Sequence, residues 1–229
     1  MSSRPSPTSL TLFDLDDTLI PFDSDHAWGE FVIGLGWVDE AGYRRRNNEF
    51  FQAYQAGRLD VHAYIEFSTQ ALRERPQHET AAAQERFMAE VVLPRMSEAA
   101  RALVRRHQAD GDLVALVTAT NEFVTGPIAR AFGIEHLIAV RLERAAGGTI
   151  TGRIAGVPSY REGKVTRVGQ WLAERGAGWR DFQRISVYSD SVNDLPLLER
   201  ATHPVATNPS PALEAIAKER GWRILNLFT

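Results

Sequence analysis

The chain has no cysteine and only three methionines among its 229 residues. Without thiols it has no disulfide framework, no thiolate metal site and no cysteine nucleophile. It has no long uncharged apolar run either. Behind the polar, Pro- and Ser-rich opening MSSRPSPTS, no segment suits a signal peptide or a membrane span. Charge of one sign is not in excess: 26 Lys and Arg against 29 Asp and Glu leave a formal charge of -3. The basic residues alternate with acids, as in RALVRRHQADGD and AERGAGWRDFQR, which reads as solvated helix faces and argues against a nucleic-acid partner. The expectation is a cytoplasmic protein with a disordered leader over residues 1–8 and no membrane association. Nothing in the sequence sets an oligomeric state.

What is present is an ordinary globular balance, 44% hydrophobic and 24% charged. Short apolar runs at 9–14, 112–120, 136–140, 184–190, 203–208 and 222–227 alternate with helical patterns. Continuous runs rich in Val, Ile and Leu predict buried parallel strands in an α/β, Rossmann-like, doubly wound and mostly parallel sheet. Asn121 is placed to cap a helix running through Ile128 to Phe132. Ser210, Pro211 and Gly221 bracket another as N-cap, first residue and stop. RLERAAGGTITGRI alternates around Gly147-Gly148 and reads as a β-hairpin projecting from the sheet. About ninety residues between the first and second runs lack a strand pattern. Trp28, Phe31, Val32 and Leu35, then Phe50, Phe51 and Tyr54, then Phe87, Met88, Val91 and Val92 follow helical spacing there. A connection that long needs structure of its own. The predicted organisation is a core over 9–19 and 96–229 with a helical cap inserted at 20–95; the competing reading packs these helices on one sheet face.

In an open parallel sheet, ligands bind beyond the carboxyl ends of the strands. The chemistry-bearing residues cluster at those ends: Asp14, Asp16 and Asp17 after the first run, Thr118 and Thr120 at the end of the second, and Asp190, Asn193 and Asp194 after the fourth. Carboxylates held this close need a cation or must take up protons. No cysteine or histidine cluster stands beside them, so an all-oxygen site for a hard divalent ion, Mg²⁺, is expected. Lys164 could add fixed positive charge, and the backbone N–H groups entering the helix after Asn121 offer an anion seat.

DLDDTL resembles the DxDx[TV] signature of the haloacid dehalogenase superfamily of phosphohydrolases. VTAT is similar to its second motif, Lys164 to its third and SDSVNDLPLL to its fourth, in family order across residues 10 to 198. Phosphoserine phosphatases of this superfamily share the helical insertion but usually carry glycines where Ser189 and Ser191 stand. The serines, DSDHAWGEF, TATNEFVTGPIA and ERGWRILNL look instead like subfamily IB hydrolases, some of which are histidinol-phosphate phosphatases. The resemblance implies a Mg²⁺-dependent phosphomonoesterase acting on a small phosphorylated metabolite. A phosphoserine or broad-specificity phosphatase is the alternative. A receiver-like signalling module is the non-enzyme alternative, and the long insertion counts against it.

The resemblance also implies roles. Asp14 would be the nucleophile, forming an aspartyl-phosphate, and Asp16 the general acid/base. The Asp14 and Asp190 carboxylates and the Asp16 carbonyl would hold the metal. Thr118, the Ala119 N–H and Lys164 would hold the phosphoryl group. Asn193 and Asp194 would orient the metal's waters and Lys164, while Asp17 is read as a turn residue. Specificity is expected in the cap and the loop after the first strand: Asp23, Asp25, His26 and Glu30, with Asn121 and, less directly, Arg58. The remaining histidines, the tryptophans and most phenylalanines are read as structural.

Overall fold

The computed structural model describes residues 8–228. The leader expected over residues 1–8 therefore lies, except for Thr8, outside the described residues. The chain opens with β1 (Ser9–Phe13) and then runs through five helices: α1 (Ser24–Gly34), α2 (Glu40–Gln55), α3 (Val61–Ser68), α4 (Gln70–Arg73) and α5 (Gln77–Phe87). It continues through α6 (Glu98–Ala109), β2 (Leu113–Asn121), α7 (Glu122–Ala131) and β3 (His136–Val140). A hairpin follows, β4 (Leu142–Arg144) with β5 (Ile150–Ile154), and then α8 (Glu162–Ala173), β6 (Arg184–Ser189), α9 (Leu195–Leu198), β7 (His203–Thr207), α10 (Pro211–Arg220) and β8 (Arg223–Leu225). Among the described residues no helix is long and apolar enough to cross a membrane.

Six strands pair in parallel in the order β3-β2-β1-β6-β7-β8. The chain lays strands to one side of β1 and then to the other, which makes the β1–β6 boundary the topological switch point. Both sheet faces are buried. Phe13, Leu116 and Tyr188 pack with Leu103 and Val104 of α6 and Val124 and Ile128 of α7. Leu10, Leu12, Val117 and Val187 pack with Val168 and Leu172 of α8, Leu198 of α9 and Leu213 of α10. The period-2 alternation of strand side chains thus divides one apolar run between two cores, which is why the runs carry no polar face. A buried polar cluster also ties β1, α6 and β6 together: the His107 ring meets Asp112 Oδ2 at 2.7 Å and the Tyr188 hydroxyl at 2.8 Å.

The helical segment between β1 and β2 builds its own aromatic packing. Trp28 lies edge-on to Phe87 and Phe123, and Tyr43 stacks on Phe67 with ring centroids 4.4 Å apart. Asp23, Asp39 and Asp60 cap α1, α2 and α3 by accepting backbone N–H bonds in their first turns. The segment is tied to the sheet at several points. Asn193 Nδ2 donates to the Tyr54 carbonyl at 3.0 Å, Arg161 to the Gly57 carbonyl at 3.0 Å, and Gln84 to the Phe123 carbonyl.

Candidate active site

β1 hands the chain directly into the site. The Asp14 N–H donates to the Tyr188 carbonyl at 2.9 Å, so the last bond of the β1–β6 ladder fixes the backbone that carries its carboxylate. Asp17, two residues past the buried Leu15, sits at φ 55°, a left-handed conformation that folds the chain back. Its carbonyl accepts from Asn208 Nδ2 at 3.0 Å, while its side chain is exposed. This is the turn expected of it.

Lys164 arrives from the opposite side, in the first turn of α8. The turn before that helix is tight: Arg161 has φ 51°, and a Cβ on Gly163 would collide with the Pro158 carbonyl, so only glycine allows this approach. The Lys164 side chain is 1% exposed, and its Nζ donates to Asp14 Oδ1 at 2.8 Å and to Asp194 Oδ2 at 2.7 Å. Ser189 Oγ donates to the same Asp194 oxygen at 2.8 Å. Burial alone would lower the lysine pKa, but the Asp14 and Asp194 carboxylates outweigh it and hold the ammonium above its ordinary range.

Thr18 joins the two sides. Its Oγ1 lies 3.5 Å from Asp14 Oδ2 and donates to Asp190 Oδ1 at 3.0 Å, and it accepts the Asp190 N–H at 3.0 Å. The Asp14 and Asp190 carboxylates therefore flank one hydroxyl. Asp14 and Asp194 share the Lys164 ammonium, whereas Asp190 joins the group through Thr18, and burial followed by repulsion from Asp14, Asp17 and Asp194 raises Asp190. Burial also raises Asp14, against the pull of Lys164. Among the described residues no group of three or more His, Cys, Asp or Glu side chains is placed to hold a metal ion. The donor set is the Asp14 and Asp190 carboxylates, all oxygen, meeting across the Thr18 hydroxyl. This fits Mg²⁺, which takes one or two carboxylates and fills its remaining positions with water and phosphate oxygen.

Asp16 is held apart from this group. Its Oδ1 accepts the Ser24 N–H at 2.7 Å and its Oδ2 accepts the Thr120 hydroxyl at 2.8 Å. Burial of the carboxylate, then the charge of Asp23, pushes it up to about 7. Thr118 Oγ1 accepts the Thr120 N–H at 3.1 Å, which leaves its own proton to be donated elsewhere. The β2–β3 pairing lapses between Val117 and Asn121, so the Ala119 backbone lies outside that ladder. The anion seat expected at the start of α7 is partly filled: Asn121 Oδ1 itself accepts the Phe123 and Val124 N–H groups at 3.1 and 3.3 Å.

The expected specificity residues divide. Asp23, Asp25 and His26 line a pocket next to Asp16, Ala119 and Thr120, and Asn121 Nδ2 reaches Asp25 Oδ1 at 3.2 Å. Glu30 does not line it: it pairs with Arg44 at 3.0 Å on the outer side of the α1–α2 pair. Arg58 is exposed and also outside the lining. Asn193 turns its amide to the Tyr54 carbonyl and not to Lys164, so its observed bond is to the insertion. Thr120 and Ser189, which stand in the second and fourth motif segments without an expected role, pin Asp16 and Asp194, and Ser24, which carries no motif signal, also holds Asp16. Phe50, Phe51 and Tyr54 line the pocket although their spacing reads only as a helical stripe, and Tyr64, unmarked in the sequence, lines it with them.

Residues 11–199 match the model of the haloacid dehalogenase-like hydrolase family. The chain is 44% identical to a histidinol-phosphatase of Neisseria meningitidis serogroup C, over 95% of this chain and 98% of that protein. The crystal structure of a protein of unknown function from Bordetella pertussis Tohama I superposes with a TM-score of 0.92 at 50% identity, covering 97% of this chain and all of the other. A substrate-bound phosphoserine phosphatase shares the fold at TM-score 0.65 and 18% identity, over 97% and 94% of the two chains. With the four motif segments gathered at one switch point and more than half its length matched, the chain belongs to the haloacid dehalogenase-like hydrolases.

Proposed function

We propose that the protein is a Mg²⁺-dependent phosphomonoesterase that works through an aspartyl-phosphate on Asp14 and acts on histidinol phosphate. The observation that carries the reaction is the Lys164 ammonium bridging Asp14 and Asp194 with Asp190 alongside. The substrate rests on the 44% identity to the Neisseria histidinol-phosphatase.

In this reading one Asp14 oxygen attacks phosphorus in line and the bond to the alcohol oxygen breaks. Asp16 gives its proton to the departing alkoxide and then takes one from a water. That water attacks the acyl-phosphate, releases phosphate and restores Asp14. Thr118, the Ala119 N–H and Lys164 hold the phosphoryl oxygens. Bound Mg²⁺, held by Asp14, Asp190 and the Asp16 carbonyl, supplies positive charge against the meeting of two anions. The helical segment over 20–95 serves as a cap that excludes water from this step.

Phosphate release from histidinol phosphate, measured with Mg²⁺, with EDTA and after Mg²⁺ is restored, tests the proposal. EDTA should abolish turnover and Mg²⁺ recover it, and Asp14→Asn should lose at least about 10³-fold in kcat while keeping the wild-type circular dichroism spectrum. Near-wild-type turnover by Asp14→Asn would overturn the nucleophile.

A further inference from the structure

The pocket beside Asp16 has a chemistry that neither the fold nor the catalytic residues dictate. Two carboxylates, Asp23 and Asp25, face four aromatic side chains, Phe50, Phe51, Tyr54 and Tyr64. Neither lysine nor arginine is among the described residues that line it. Asp23 is spoken for as the cap of α1, accepting the His26 N–H at 2.7 Å. Asp25 is different. It is 4% exposed, its Oδ1 accepts from Asn121, and the Tyr64 hydroxyl lies close enough to lower its pKa, yet its Oδ2 completes no hydrogen bond. An unpaired carboxylate oxygen so deeply buried costs free energy unless something positive meets it.

Resting on the phosphatase reading, we infer that the alcohol half of the substrate is a cation without a carboxylate, a phosphate ester of an amino alcohol whose charged nitrogen seats on Asp25 Oδ2 between aromatic walls. The walls add cation–π attraction and a face for a planar ring. The same lining rejects an amino acid ester. The carboxylate of phosphoserine would join Asp16, Asp23 and Asp25 in a space with no guanidinium or ammonium to receive it; the His26 ring there meets Asn48 Oδ1 at 2.8 Å, and Arg58, next in sequence to the lining residue Leu59, lies exposed outside the lining. Like charges in so enclosed a site are a strong ground for discrimination. Burial and then the Asp16 charge push Asp25 up to about 7, and a bound cation would draw that proton off.

The test compares histidinol phosphate, phosphoserine and nitrophenyl phosphate on the full chain with Mg²⁺, alongside thermal unfolding with histidinol or with histidine, which differ by one carboxylate. Histidinol phosphate should exceed phosphoserine by at least about 100-fold in kcat/KM, and histidinol, not histidine, should raise Tm. Asp25→Asn should raise KM for histidinol phosphate about 10- to 100-fold with kcat within a few-fold, lose far less on nitrophenyl phosphate, and abolish the Tm rise with histidinol. Phosphoserine turned over within tenfold of histidinol phosphate, or equal protection by histidine and histidinol, would overturn the inference and leave the phosphatase standing. If no phosphate ester is hydrolysed, the phosphatase reading falls, while the histidinol and histidine shifts still decide what the pocket binds.

Discussion

Asp14, Asp16 and Asp25 lie within twelve positions, Asp14 and Asp25 buried and Asp16 half-buried, and each is held by a different device. Asp14 is answered by an ammonium, Asp16 by a hydroxyl and a backbone N–H, and Asp25 by the Asn121 amide with the Tyr64 hydroxyl beside it. Removing the Thr120 hydroxyl leaves Asp16 Oδ2 without its donor. Thr120→Val should lower kcat for an alkyl phosphate about 5- to 30-fold, the equivalent of a lost hydrogen bond to a charged group. It should barely change nitrophenyl phosphate, whose leaving group needs no proton; equal losses on both would place Thr120 elsewhere in the mechanism. Asp25 carries a stability consequence. Asp16, Asp23, His26, Tyr43 and Tyr64 surround it, and its folded pKa of about 7 stands above the unfolded value near 3.8. Stability from this group is complete below pH 3.8 and drains away as pH rises through 7, because the unfolded chain ionises first. Asp25→Asn should therefore match wild type near pH 4 in urea unfolding and exceed it by a few kcal/mol above pH 7. Acids at strand ends and a lysine by the start of a helix were legible without coordinates. The Asp25 pocket was less so: Glu30 looked equivalent, but five residues at about 100° each turn it some 140° from Asp25, onto the Arg44 side.

At the level of elements, α1 and α2 touch more closely than side chains usually permit. Gly29 faces the Asn47 amide, which donates to the His26 carbonyl at 3.1 Å. Alanine is the better helix former by about 1 kcal/mol, yet here a Cβ would strike that amide. Gly29→Ala should lower stability by about 1–3 kcal/mol in thermal unfolding, and a gain would show that the amide swings aside at no cost. The strands were legible almost to the residue, since six apolar runs matched six strands and β3 kept its predicted bounds. Their order was not legible, because apolar runs buried on both faces carry no mark of which neighbour they pair with. The insertion was legible as helical, but its division was not. Phe87 to Val92 reads as one helical stripe, whereas the chain passes there from α5 into a π-turn over Met88–Val92.

The molecule as a whole encloses its pocket. The pocket between the insertion and the sheet leaves only about 30 Å³ in which the centre of a water-sized molecule can move, and an ester with an alcohol portion cannot enter it as it stands. Asn193, Arg161, Gln84 and Asn121 hold the insertion down through hydrogen bonds that must yield on entry and exit. If that parting limits turnover, kcat should fall in proportion to added sucrose viscosity at saturating substrate, and a flat profile would assign the limit to chemistry. The tightness has one more consequence. Because the resting pocket is too narrow for the alcohol, the parting of insertion and sheet that admits the ester must recur for the alcohol to leave the phosphorylated enzyme. During that opening it waits with a reactive acyl-phosphate and an acidic pocket, and whichever hydroxyl arrives first takes the phosphoryl group. An enzyme built to remove phosphate from an alcohol thus holds, once per cycle, the means to put it back on.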